Sequence, residues 1–149
     1  EYTEREILEL LYNRTDGDNW ERNDNWLTDK PLSEWYGIEI HENSNSKFII
    51  KEIDLQFNNL TGKIPKEIGK LIELNYLNLN ENQLSGEIPK GIGKLKNLEE
   101  LDLYDNKLTG VIPKEIGRLT NLNFLDIYQN KLSEKIPKEV KELKCWKDT

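Results

Sequence analysis

Apolar residues in the second part of the chain return at a fixed step. Leu55, Leu79, Leu103 and Ile127 lie 24 residues apart, and so do Leu60, Leu84, Leu108 and Leu132. Polar and turn-forming columns keep the same register: Asn58, Asn82, Asn106 and Asn130, then Pro65, Pro89, Pro113 and Pro137. Within one unit the stretch Tyr76 to Asn80 alternates, which predicts a strand. Leu77 and Leu79 would point to one side, and Tyr76, Asn78 and Asn80 to the other. Asn82 falls where the chain must turn, and its amide can bond backbone groups of its own turn and of the next coil. Gly86 permits a tight bend, and Pro89 stops a second extended stretch. Lys90 to Leu95 then returns as a short helix or 3-10 turn with Ile92 and Leu95 inward. One unit cannot bury its apolar residues alone. Several stacked units can, so the period predicts four coils of a solenoid.

Residues 1–52 lack the repeat and read as an N-terminal cap. Thr3-Glu4-Arg5-Glu6 has the capping-box pattern, and Ile7, Leu8, Leu10 and Leu11 give a helix its apolar face. Asp16-Gly17 ends that helix. Trp20, Trp26, Trp35 and Tyr36 follow in a segment otherwise poor in apolar residues, as large rings suited to sealing the open end of a stack. Trp35 to Ile40 and Phe48 to Ile50 are expected as a β-hairpin joined by a polar turn around Asn43 to Ser46. Residues 53–149 then hold the four repeats, the last one degenerate, with cap and repeats making one structural domain.

The segment Asn58 to Leu71 reads Asn-Asn-Leu-Thr-Gly-Lys-Ile-Pro-Lys-Glu-Ile-Gly-Lys-Leu, and Asn106 to Leu119 repeats it almost unchanged. This wording resembles the plant-specific class of leucine-rich repeat, over Ile53 to Leu143. The resemblance implies an α/β fold: a right-handed leucine-rich repeat solenoid with a parallel β-sheet on its concave face. Short helices or 3-10 turns would lie on the convex side, and a second short strand would come from Leu-Thr/Ser-Gly-x-Ile-Pro. The fourth unit departs, with Glu134 where the others carry Gly62, Gly86 and Gly110. The cap resembles that of the same family, except that Ser33 and Ile40 stand at its two cysteine positions. Its Gly-Asp-Asn-Trp and Pro-Leu-Ser-Glu-Trp-Tyr-Gly wording is similar to cysteine-free caps of microbial relatives.

Composition changes the picture little until it is mapped onto the coil. The chain has 149 residues, 36% hydrophobic content and a formal net charge of −7, which suits one domain and disfavours nucleic acid. No run is apolar enough for membrane insertion. The single Cys145 cannot form an intrachain disulfide, whereas Asn13-Arg14-Thr15 and Asn59-Leu60-Thr61 match glycosylation acceptors, so compartment is left open.

The outward strand positions are Glu52, Asp54, Gln56 and Phe57, then Tyr76, Asn78, Asn80 and Glu81. The third and fourth coils add Glu100, Asp102, Tyr104 and Asp105, then Phe124, Asp126, Tyr128 and Gln129. None is basic. The cations fall on the returning turns instead, at Lys66, Lys70, Lys90, Lys94, Lys114, Arg118 and Lys138. Apart from Gln56, Asn80 and Gln129, these positions predict a partner-binding surface for a protein or peptide of basic character, with Tyr76, Tyr104, Phe124 and Tyr128 as its anchors. The bland reading is that aspartates in the strand core merely solvate a sheet. The alternative function is structural: a segment of a longer array, or a scaffold that self-associates through an exposed solenoid end. No enzyme activity, cofactor or metal is expected, since no phosphate loop, zinc spacing or nucleophile elbow occurs. His41 is the only histidine and shows no oriented partner in the sequence.

Overall fold

The computed structural model describes residues 1–147; residues 148 and 149 of the expected fourth repeat lie outside the described residues. Helix α1 (Glu4–Arg14) begins with the expected capping box. Thr3 Oγ1 accepts from the Glu6 amide at 3.1 Å, and the Thr3 amide donates to Glu6 Oε1 at 2.9 Å. The helix buries Ile7, Leu8, Leu11 and Tyr12, and the chain breaks away at Asp16 with φ 60°.

Two strands follow, β1 (Ile38–Glu42) and β2 (Phe48–Asp54), as an antiparallel hairpin. The first starts later than alternation suggests, because Gly37 has φ +82° and a Cβ there would lie 2.3 Å from Asp54 O. The second runs past Ile50 and becomes the strand of the first repeat. Among the described residues the seven remaining strands, taken together with β2, make one pair to a coil. They are β3 (Thr61–Lys63), β4 (Tyr76–Asn78), β5 (Gln83–Gly86), β6 (Glu100–Asp102), β7 (Lys107–Gly110), β8 (Phe124–Asp126) and β9 (Lys131–Leu132). One sheet has the order β1-β2-β4-β6-β8, parallel from β2 onward, and the other the order β3-β5-β7-β9. The 3-10 helices Lys66–Lys70, Lys90–Lys94 and Lys114–Arg118 close the first three coils behind Pro65, Pro89 and Pro113. The fourth closes with two short α-helices, α2 (Lys138–Lys141) and α3 (Lys144–Lys147). Between the layers runs one continuous core, from Ile7 and Trp35 through the leucine columns to Val140 and Leu143.

The asparagine column holds adjacent coils in register. Asn82 Oδ1 accepts from the Asn58 amide at 3.0 Å and the Leu60 amide at 2.9 Å, and Nδ2 donates to Leu55 O, Leu79 O and Asn80 O. Each amide therefore reaches back to the preceding coil rather than forward to the next. Asn106 repeats the arrangement with Leu84 N and Leu79 O, and Asn130 with Leu108 N and Leu103 O. Asn58 has no earlier repeat to reach, and the cap takes that place. Its Oδ1 accepts from the Arg22 amide at 2.7 Å and its Nδ2 donates to Arg22 O at 2.9 Å.

Further bonds join the cap to the first coil, among them Glu21 N to Asn58 O and Asn59 Nδ2 to Asn19 O. The Thr61 amide donates to Thr15 O, and Arg14 Nη1 bonds Glu67 Oε1 at 2.7 Å. Gly62, at φ +75°, is required there, since a Cβ would sit 2.2 Å from Arg14 O. Behind this seam Tyr12, Trp20, Trp26 and Trp35 pack ring against ring, with neighbouring centroids 4.8–5.9 Å apart. Every buried indole N–H finds a carbonyl: Trp20 on Thr15, Trp26 on Tyr36, Trp35 on Lys30.

Two stability outcomes follow. Asn82→Ala strands two buried amides and removes three carbonyl partners, so urea unfolding should show a loss of about 2–4 kcal/mol. Asn130→Ala, at the half-buried last rung, should lose about half of that. At Glu67, burial raises the carboxyl, but a backbone amide and the Arg14 guanidinium outweigh it and hold the group below 4.5. A depressed acid stabilises the fold above its unfolded pKa, and that contribution is lost as pH falls through the folded value. The stability gap between the native protein and Glu67→Gln should therefore be widest above pH ~5 and close on acidification, as read by denaturant titrations across pH.

Candidate partner-binding face

Parallel pairing fixes which outward residues are neighbours. Glu52, Tyr76, Glu100 and Phe124 stand side by side across β2, β4, β6 and β8, and Glu39 on β1 extends the row beyond Glu52. Adjacent members are one strand spacing apart, about 4.8 Å. Asp54, Asn78, Asp102 and Asp126 form a second row by the same register. None of these positions is basic, and the predicted cations, Lys66 to Lys138, are exposed on the coil-closing helices.

The second row has local work. In each coil the Oδ1 accepts from the amide two residues on: Asp54 from Gln56 at 3.3 Å, Asn78 from Asn80 at 3.1 Å, Asp102 from Tyr104 at 3.1 Å, and Asp126 from Tyr128 at 3.0 Å. These are side-chain turns that end the strands. They explain why the strand stops at Asn78, short of the expected Asn80. Asp102 also accepts Asn80 Nδ2 at 2.8 Å, and Asn80 Oδ1 is the one buried side-chain acceptor among the described residues without a partner.

Phe57, Glu81, Asp105 and Gln129 sit beyond the strands, each left-handed at φ 49–57°. Their column was legible as outward, but not as a turn, because no glycine marks it. Phe57 is the most exposed aromatic of the set at 77%, while Tyr128 stacks on Trp146 at 6.1 Å. The first row is less committed to the fold. The Tyr76 hydroxyl donates to Glu100 Oε1 at 2.7 Å, and that hydrogen bond raises its phenol pKa.

Two residues that sequence reasoning did not place at the site join it through the hairpin. Glu39 lies opposite Glu52, and His41 Nε2 is 3.2 Å from Glu39 Oε1. The Glu52 carboxyl is pushed up to about 7, first by its hydrogen bond to Glu39, then by burial and the Glu39 charge. Glu39 is held below its ordinary value by bonds to Glu52 and His41. The alternation Ile38-Glu39-Ile40-His41 marks a shared face, but only the hairpin register brings Glu52 to it.

No curated protein sequence matches the chain. Among solved structures it is similar to the ectodomain of the receptor kinase SOBIR1 from Arabidopsis thaliana, at 28% identity and TM-score 0.69, covering 85% of this chain and 66% of that one. A chain of the BIR3–SERK2 complex from Arabidopsis thaliana shares 31% identity at TM-score 0.75, over 92% of this chain and 74% of its own. The plant peptide hormone receptor RGFR1, solved with RGF2, shares 37% identity at TM-score 0.59, over 74% of this chain and 20% of its own. The family profile described as leucine-rich repeat region matches residues 44–148. With that match over most of its length, and with stacked coils joined by parallel strands, the chain belongs to the leucine-rich repeat family.

Proposed function

We propose that this protein is a non-catalytic recognition module that binds a basic protein or peptide on its acidic-aromatic strand face, with no cofactor. The observation carrying this reading is the first row, where Tyr76 lies between Glu52 and Glu100 and Phe124 follows on the next strand. A lysine or arginine laid over the Tyr76 ring would be flanked by two carboxylates, each about one strand spacing away. Aromatic anchors bring contact area at low entropic cost, and the surrounding charge steers a cationic partner and rejects an acidic one. Relatives support the class of partner: BIR3 and SERK2 form a complex with each other, and RGFR1 is a peptide hormone receptor.

Within the face, Glu52, Tyr76, Glu100, Tyr104, Phe124 and Tyr128 are assigned to contact, and Glu81, Asp105 and Phe57 to its rim. Asp54, Asn78, Asp102 and Asp126 combine contact with their strand-ending bonds. The repeats are assigned to the plant-specific class, behind a cysteine-free cap of microbial type. Self-association is the second reading, favoured by β8, whose outer edge pairs with no strand among the described residues. It requires a molecular mass in solution that rises with protein concentration.

Peptides selected from a random library against the native protein should be enriched in Lys and Arg, and their binding should weaken with salt. Glu100→Lys combined with Tyr104→Ala should reduce their affinity at least about tenfold, an amount ordinary for loss of one anchor and inversion of one charge. Selected peptides without basic character, or unchanged binding by the double variant, would refute the assignment.

A further inference from the structure

The β1–β2 hairpin gives His41 the oriented partners that the sequence does not show. Alternation along β1 puts Glu39 and His41 on one side, with Ile38 and Ile40 on the other. The register pairs Glu39 with Glu52, then slips between Glu39 and Ile40 so that Lys51 has no partner on β1. Irregularities of this kind bend a strand and re-aim its side chains. One ligand atom from each of Glu39, His41 and Glu52 lies within 4.8 Å of the other two. The Glu39 and His41 side chains are 60% and 51% exposed, so both heads can turn and an ion can reach them from solvent.

We propose that Glu39, His41 and Glu52 form a binding site for a divalent transition-metal ion of the zinc class, with water completing the coordination. Such an ion takes imidazole nitrogen and carboxylate oxygen at about 2.0–2.2 Å, which sets ligand atoms about 3.3 Å apart in a tetrahedron. The His41–Glu39 pair, at 3.2 Å, already has that spacing. The wider span to Glu52 closes by rotation of the carboxylates. Two anionic oxygens balance the charge of the ion, and the imidazole gives selectivity, because calcium and magnesium prefer all-oxygen shells of six or more ligands. The mixed donor set separates this site from an ordinary acidic patch. The site does not depend on what docks across the rest of the face.

The test is calorimetric titration of Zn2+ into the untagged protein, with the His41 ring resonances followed by NMR. One equivalent should bind, and the His41 resonances should shift at the same stoichiometry. His41→Ala and Glu52→Gln should each weaken binding at least about tenfold, the least that losing even a group supporting a ligand costs. Cys145→Ser, which removes the chain's only thiol, should leave binding intact, and equimolar Ca2+ should not compete. The proposal is overturned by unshifted His41 resonances, by no saturation below about 1 mM, by binding lost in Cys145→Ser, or by equal displacement with Ca2+.

Discussion

Backbone satisfaction between coils is the constraint from which the rest of this structure follows. A coil of 24 residues encloses too little apolar volume to stand alone, and its strands of two to four residues leave amides and carbonyls facing along the stack. Neighbouring coils must accept those groups, since leaving them buried and unpaired would cost about 1–3 kcal/mol each. The asparagine column meets the requirement where the chain turns and sheet pairing cannot. With one carbonyl oxygen and one amide, each side chain serves two coils together. The leucine columns then fill the space that this register encloses.

The same constraint explains the design of the N-terminal cap. The first rung of the ladder, Asn58, needs a backbone partner below it, and Arg22 presents its amide and carbonyl there as a preceding coil would. Thr15 O does the same for β3, and β1 covers the free edge of β2. The tryptophans support this substitute coil from behind. At the opposite end the last turn becomes α-helical, and Val140 and Leu143 close the core.

Register also decides the electrostatics of the outward face. Because the buried leucines must align, residues 24 apart are forced side by side, and whatever the sequence places between the leucines becomes a row. Glutamates and aromatics in one row make a surface with chemical character. Aspartates in the next are drawn into ending the strands and have less freedom. Among the described residues the hairpin adds the one antiparallel pairing of the sheet, and this is why a histidine and two glutamates meet at its edge.

The sequence by itself determined the inward and outward columns, the helix cap and the segregation of charge, because each is periodic or local in the chain. It also marked the outward positions of Glu52, Tyr76, Glu100 and Phe124. Strand lengths escaped it, since the side-chain turns at Asn78 and Asp102 and the left-handed residues Glu81 and Asp105 leave no signature that distinguishes them from continued alternation. The role of Arg22 under Asn58 and the arrival of Glu52 beside Glu39 and His41 were decided by tertiary structure alone. Those contacts join segments of unrelated sequence, and a hydrogen bond between two such segments exists only once the core has set their separation.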